Sequence, residues 1–134
     1  MNKEDYYKMQ KPNLLYPNEK YISSETNINK ADLVRMKYVY EDILPYLKTS
    51  GVMVDVGCND GYFMRQFEWP FELYYGVDMF SIEEYLSTNN IDRYTKGGKI
   101  QYITGLFEEI NLDIKADFIF AGEVIEHVLD VNVF

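Results

Sequence analysis

The run Val52-Met53-Val54-Asp55-Val56 opens into Gly57-Cys58-Asn59-Asp60-Gly61, which places two carboxylates, Asp55 and Asp60, at a glycine-bounded turn. A strand ending in such a turn usually grips a nucleotide-like ligand, because glycine lets the backbone approach it closely. Charge decides which kind. Backbone N–H groups at a helix start attract an anionic pyrophosphate, whereas Asp55 and Asp60 would repel one, so the loop suits a cationic ligand. The dinucleotide fingerprint Gly-x-Gly-x-x-Gly also fits poorly, since Asn59 and Tyr62 occupy its second and third glycine positions. A strand-to-helix turn without a ligand is the plain alternative. A further acid, Asp78, ends the apolar run Leu73-Tyr74-Tyr75-Gly76-Val77 and lies 21 residues after Gly57. That is close to the ~20 expected of a carboxylate that takes ribose hydroxyls.

The stretch Asp55-Val56-Gly57-Cys58-Asn59-Asp60-Gly61 resembles the first motif, Asp-x-Gly-x-Gly-x-Gly, of the class I S-adenosylmethionine-dependent methyltransferases. Asn59 replaces the middle glycine, and Asn is among the residues that best tolerate the left-handed backbone required there. S-adenosylmethionine, with its ammonium and sulfonium, also meets the charge requirement. The resemblance implies a cofactor site built from Asp55, Gly57, Cys58, Asn59, Asp60 and Gly61, with Asp78 on the ribose and Met79 on the adenine ring. Leu106 stands where the family often has a polar or acidic residue near the adenine amino group, so backbone groups of Leu106 or Phe107 would supply that hydrogen bond. Residues 116–128, with the string Glu123-Val124-Ile125-Glu126-His127, look like the fourth motif and bring Glu123 to the cofactor pocket.

Glu123, Glu126 and His127 stand at i, i+3 and i+4, near one face of a helical first turn. Relatives with this string imply two roles, a divalent site for Mg or Mn on all three residues and a catalytic pair in which Glu123 or His127 takes a proton from the acceptor. Two carboxylates and an imidazole are an incomplete ligand set, and an imidazole has a suitable ordinary pKa for a base. The bland reading is that the acids complement the helix dipole while His127 packs locally.

Elements must hold these residues. Residues 1–28 are polar, broken by Pro12 and Pro17, and read as an irregular arm or lid. The unit 29–134 begins with a helix in which Leu33, Met36, Tyr40, Ile43, Leu44 and Leu47 recur at helical spacing, Asn29 is a candidate cap, and Pro45 bends or ends the run. A helix over 61–68 follows the loop, and Ser81-Ile82-Glu83-Glu84 has the form of a capping box. Strands are expected at 52–56, 73–78, 99–103 and 117–122. Alternating strands and helices predict an α/β fold with a parallel sheet. The resemblance makes it a Rossmann-like doubly wound sheet of order 3-2-1-4 and implies further C-terminal strands beyond Phe134. Strand 117–122 is then expected at an edge, covered by a second copy or a partner chain.

The chain has 134 residues, 47% apolar and 16% aromatic, enough for one core and too short for two ordinary domains. No apolar run approaches the ~18 to 20 residues of a membrane span, and no hydrophobic stretch follows the first residues as in a secretory signal, so the cytoplasm is the default compartment. One cysteine excludes an intrachain disulfide. Residues 51–134 carry 5 basic and 15 acidic groups. Such a surface repels phosphate backbones, which disfavours nucleic acid and favours a small-molecule or glycan acceptor. The expected function is a methyltransferase; a non-catalytic cofactor-binding subunit completed by a partner is the alternative, and an NAD-dependent oxidoreductase ranks below both.

Overall fold

The computed structural model describes residues 30–79, 82–88, 95, 97–122, 124, 125, 128 and 132. The N-terminal arm, Asn29, Ser81, Glu123, Glu126 and His127 therefore lie outside the described residues. Helix α1, Lys30–Ile43, presents Met36, Val39, Tyr40 and Ile43 to the core, as the helical spacing requires. It stops where proline intervenes: Leu44–Tyr46 tightens into a 3-10 turn with Pro45 inside it, and Leu47 is already extended. Ser50 and Gly51 then take positive φ and turn the chain into the sheet.

Four parallel strands follow, β1 Val52–Val56, β2 Leu73–Asp78, β3 Ile100–Thr104 and β4 Phe118–Phe120, in the spatial order β3-β2-β1-β4. Asp55 pairs in register with Gly76 on one side and Phe120 on the other. Between strands lie α2, Tyr62–Gln66, and α3, Ile82–Thr88. The architecture is the expected Rossmann-like α/β sheet. Element ends differ by a few residues: α2 is shorter than 61–68, and β4 is three residues rather than six. Asp117 lies just outside the ladder, where its carboxylate accepts the Val52 N–H at 2.9 Å while its own N–H donates to the Val52 carbonyl at 2.9 Å.

Strand alternation sends side chains to two faces. One face carries Met53, Tyr74 and Ile100, packed with Phe63 and Met64 of α2, Trp69, Phe71 and the inner side of α1. Its aromatic rings interlock, with Trp69 edge-on to Tyr40 and Phe63 and stacked near Phe118. The other face carries Val54, Val56 and Val77, covered by Ile110, Leu112, Ile114 and Ala116 from the connection between β3 and β4. That connection is extended, with alternate residues turned inward, and among the described residues it contains a 3-10 turn, Phe107–Glu109, but no α-helix. No helix among the described residues is long and apolar enough to cross a membrane.

Candidate cofactor-binding site

In a parallel α/β sheet, ligands bind beyond the carboxyl ends of the strands, near the point where strand order reverses. Here the order reverses between β1 and β4, and an open cleft of about 390 Å³, part of it continuous with solvent, lies at that end. Its walls come from Val56 and Gly57 at the end of β1, Val77, Asp78 and Met79 at the end of β2, Gly105 to Glu108 after β3, and Val124 and Val128 beyond β4. Gly57, Asp78, Met79, Leu106 and Phe107 were expected at a site from the sequence, and the fold brings them together. Glu108, Val124 and Val128 were not. Glu108 sits in the turn directly after the β3 loop, and the carboxyl-end rule applied to β3 would have marked it.

The loop is held in place by β2. Gly57 and Cys58 both donate their N–H groups to the Val77 carbonyl, at 2.8 and 3.2 Å, and the Asn59 N–H donates to Asp78 Oδ2 at 2.7 Å. The last is a charge-assisted bond, so Asp78 fixes the loop as well as facing the cleft. Asn59 takes φ +52°, the left-handed conformation that its place in the motif requires. Its side-chain Oδ1 is buried with no hydrogen-bond partner among the described residues.

The remaining loop residues divide differently from the sequence reading. Cys58 packs in the core beside Gly76, and its side chain does not line the cleft. Burial raises its thiol pKa, and the charges of Asp55, Asp78 and Asp60 raise it further, so it is no thiolate nucleophile. Asp60 points at its own helix: Oδ1 accepts the Tyr62 N–H at 3.1 Å, and Oδ2 lies 3.3 Å from Arg65 Nη2 without hydrogen-bond alignment. Gly61 is left-handed at φ +77°, and a Cβ there would strike the Tyr102 hydroxyl, which donates to the Asp60 carbonyl at 2.7 Å. Asp60 and Gly61 thus shape the turn, whereas Gly57, Asp78 and Met79 face the cleft.

Asp55 stands next to last in β1 and is only 3% exposed. Burial raises its pKa above the ordinary carboxylate value, and the charge of Asp78 adds to the effect. Two carboxylates this close favour a positive charge beside them. This donor set fits the cationic ammonium and sulfonium of S-adenosylmethionine and disfavours a pyrophosphate. Among the described residues no group of three or more His, Cys, Asp or Glu side chains could hold a metal ion. The Mg or Mn expectation at Glu123, Glu126 and His127 concerns residues outside that set.

Sheet order and cleft position define a Rossmann-like domain that takes a cofactor at the carboxyl end of a parallel sheet. Residues 29–134 match the model of a methyltransferase-domain family. The chain belongs to that family, within the class I S-adenosylmethionine-dependent methyltransferases. No curated protein matches the sequence.

Proposed function

We propose that the chain holds S-adenosylmethionine in this cleft and directs its methyl group to a small-molecule or glycan acceptor. The observation that carries the proposal is Asp78 lining an otherwise largely apolar cleft at the sheet's carboxyl end, with the buried Asp55 close enough to feel its charge. Asp78 would take the ribose hydroxyls, Met79, Leu106 and Phe107 would enclose the adenine, and Asp55 with the 57–61 turn would face the cationic end. When bound, the cofactor supplies a methyl group on a sulfonium leaving group. The chain's task is to align an acceptor with that methyl and exclude water, for which the apolar walls at Val56, Val124 and Val128 are suited. An oxygen acceptor must also lose its proton, and Glu123 and His127 are the candidate bases on the strength of the motif. The acidic surface, 15 acidic against 5 basic groups over residues 51–134, supports an acceptor other than nucleic acid.

Asp78→Ala is expected to weaken S-adenosylmethionine binding by about 1.5 to 3 kcal/mol, the scale of hydrogen bonds to a charged group. Part of that loss comes through the freed Asn59 N–H, so Asp78→Asn, which keeps an acceptor for it, should lose less. Calorimetric titration of both variants with S-adenosylmethionine, and of the unmodified chain with NAD, decides the matter. Unchanged affinity in the alanine variant, or a preference for NAD, would reject the reading.

We also propose that a second copy or a partner chain pairs with the outer edge of β4, where Ile119 is 55% exposed on a strand with one neighbour in the sheet among the described residues. Light scattering of the purified chain should then show a dimer, a larger species or aggregation when no partner is supplied, and a monodisperse monomer at high concentration that also turns over a methyl acceptor would refute it.

A further inference from the structure

The peptide unit that joins Asp60 to Gly61 is held at both of its polar ends. Its N–H, on Gly61, donates to the Cys58 carbonyl at 2.8 Å within the loop, and its carbonyl, on Asp60, accepts the Tyr102 hydroxyl at 2.7 Å from β3, 42 residues along the chain. Arg65 Nη2 also approaches that carbonyl, but at 3.4 Å it is the poorer donor. The ring of Tyr102 takes space that a side chain on β2 would claim: its register partner is Gly76, where a Cβ would lie 3.2 Å from Tyr102 Cδ1. The same ring packs against Ile82 and Leu86 of α3. Gly61 is left-handed at φ +77° and has no Cβ to restrict it, so the peptide before it turns over at little cost unless something holds it. Turning it over breaks the bond from Gly61 to Cys58. Cys58 and Asn59, inside that turn, are residues whose N–H groups tie the loop to Val77 and Asp78.

Resting on the assignment of S-adenosylmethionine to the cleft, we propose that Tyr102 is a positioning residue for cofactor binding, whose hydroxyl locks the Asp60–Gly61 peptide and so keeps the 57–61 turn in the shape that receives the cofactor. Tyr102 is not among the residues that line the cleft, so it acts through the loop. Tyrosine and glycine are a matched pair here, because a Cβ on residue 61 would overlap the hydroxyl that secures it. Without the lock, the free chain divides its population among loop shapes, and its apparent affinity falls with the fraction that is receptive.

The experiment is calorimetric titration of the full chain with S-adenosylmethionine, paired with denaturant unfolding followed by Trp69 fluorescence. Tyr102→Phe keeps the ring and its packing on α3, and is expected to bind about three- to tenfold more weakly, the scale of one neutral hydrogen bond. Tyr40→Phe removes a comparable bond, from the Tyr40 hydroxyl to the Glu68 carbonyl at 2.8 Å, away from the loop, and should leave the affinity in place. Gly61→Ala supplies the second readout. The strain of its left-handed backbone is common to both backgrounds, so the affinity it costs should be about threefold smaller once Tyr102→Phe has removed the overlapping atom. A Tyr102→Phe variant that binds as tightly as the unmodified chain would overturn the inference, even with its stability lowered, while leaving the cofactor assignment standing. So would strictly additive effects in the double variant. No binding by the unmodified chain would remove the assignment and the inference together.

Discussion

Gly57→Val is expected to abolish measurable S-adenosylmethionine binding, a loss of more than about a hundredfold, and to destabilise the fold by about 1 to 3 kcal/mol. Three independent constraints meet at this residue. Its φ of +71° lies in the left-handed region, where a β-branched residue is most strongly disfavoured. Its N–H donates to the Val77 carbonyl at 2.8 Å, so the backbone cannot relax to negative φ without breaking the bond that ties the loop to β2. It lines the cleft, and a Cβ there would overlap Val124 Cγ2, which lines the same space. Gly57→Ala separates these effects, since it adds the strain and the first contact but not the bulk, and should retain weak binding. Calorimetry with the cofactor, alongside denaturant unfolding monitored at the single tryptophan, measures both losses. A valine variant with undiminished affinity would place the ligand elsewhere.

How much of this was legible in the sequence depends on the range of the forces involved. The strands, the loop and the acid at the end of β2 follow from short apolar runs closed by glycine and aspartate, which are local signals, and even the positive φ of Asn59 follows from residue type within a motif. The second sheet face was equally available. Ile110-Asn111-Leu112-Asp113-Ile114-Lys115-Ala116-Asp117 alternates apolar and polar residues with period two, and the structure buries alternate residues of this segment against Val54, Val56 and Val77. What the sequence left open was the division of labour inside the loop. Asp55 and Asp60 look alike in the chain, yet one is a buried strand residue in register with Gly76 and Phe120 and the other turns onto Arg65 and the Tyr62 N–H. Gly61 owes its identity to Tyr102, which is 41 residues away in the chain and adjacent only after β3 joins the sheet. Glu108 resembles any surface acid until the β3 turn places it at the cleft. Such assignments depend on tertiary contacts that no local pattern encodes.

Asp60 brings the second large effect, a dependence of stability on pH that runs opposite to the usual one for a carboxylate. Its side chain is fully enclosed, and burial raises its pKa to about 6 from an ordinary 3.8, against the smaller lowering effects of Arg65 and the Tyr62 N–H. Because the folded value is the higher, the native state holds this proton more tightly than the unfolded chain does. The associated stability is fully present below about pH 4 and is lost as pH rises through about 6. It totals about 3 kcal/mol, since each tenfold difference in proton affinity between the folded and unfolded chain is worth about 1.4 kcal/mol. Asp60→Asn is neutral throughout and keeps an oxygen for the Tyr62 N–H, so it should match the unmodified chain near pH 4 and exceed its stability by up to that amount at pH 7 to 8. Comparing the two proteins cancels the contributions of the other carboxylates. Denaturant unfolding by Trp69 fluorescence across this range is the measurement, and a stability difference that stays constant with pH would disprove the assignment. A charge maintained at such a cost at neutral pH fits the electrostatics of the loop. Asp60, Asp55 and Asp78 all raise the Cys58 thiol pKa, so the three carboxylates lie around the loop that the cofactor is proposed to meet. Asp60→Asn is accordingly expected to gain stability while losing cofactor affinity, the exchange that distinguishes a functional buried charge from an accidental one.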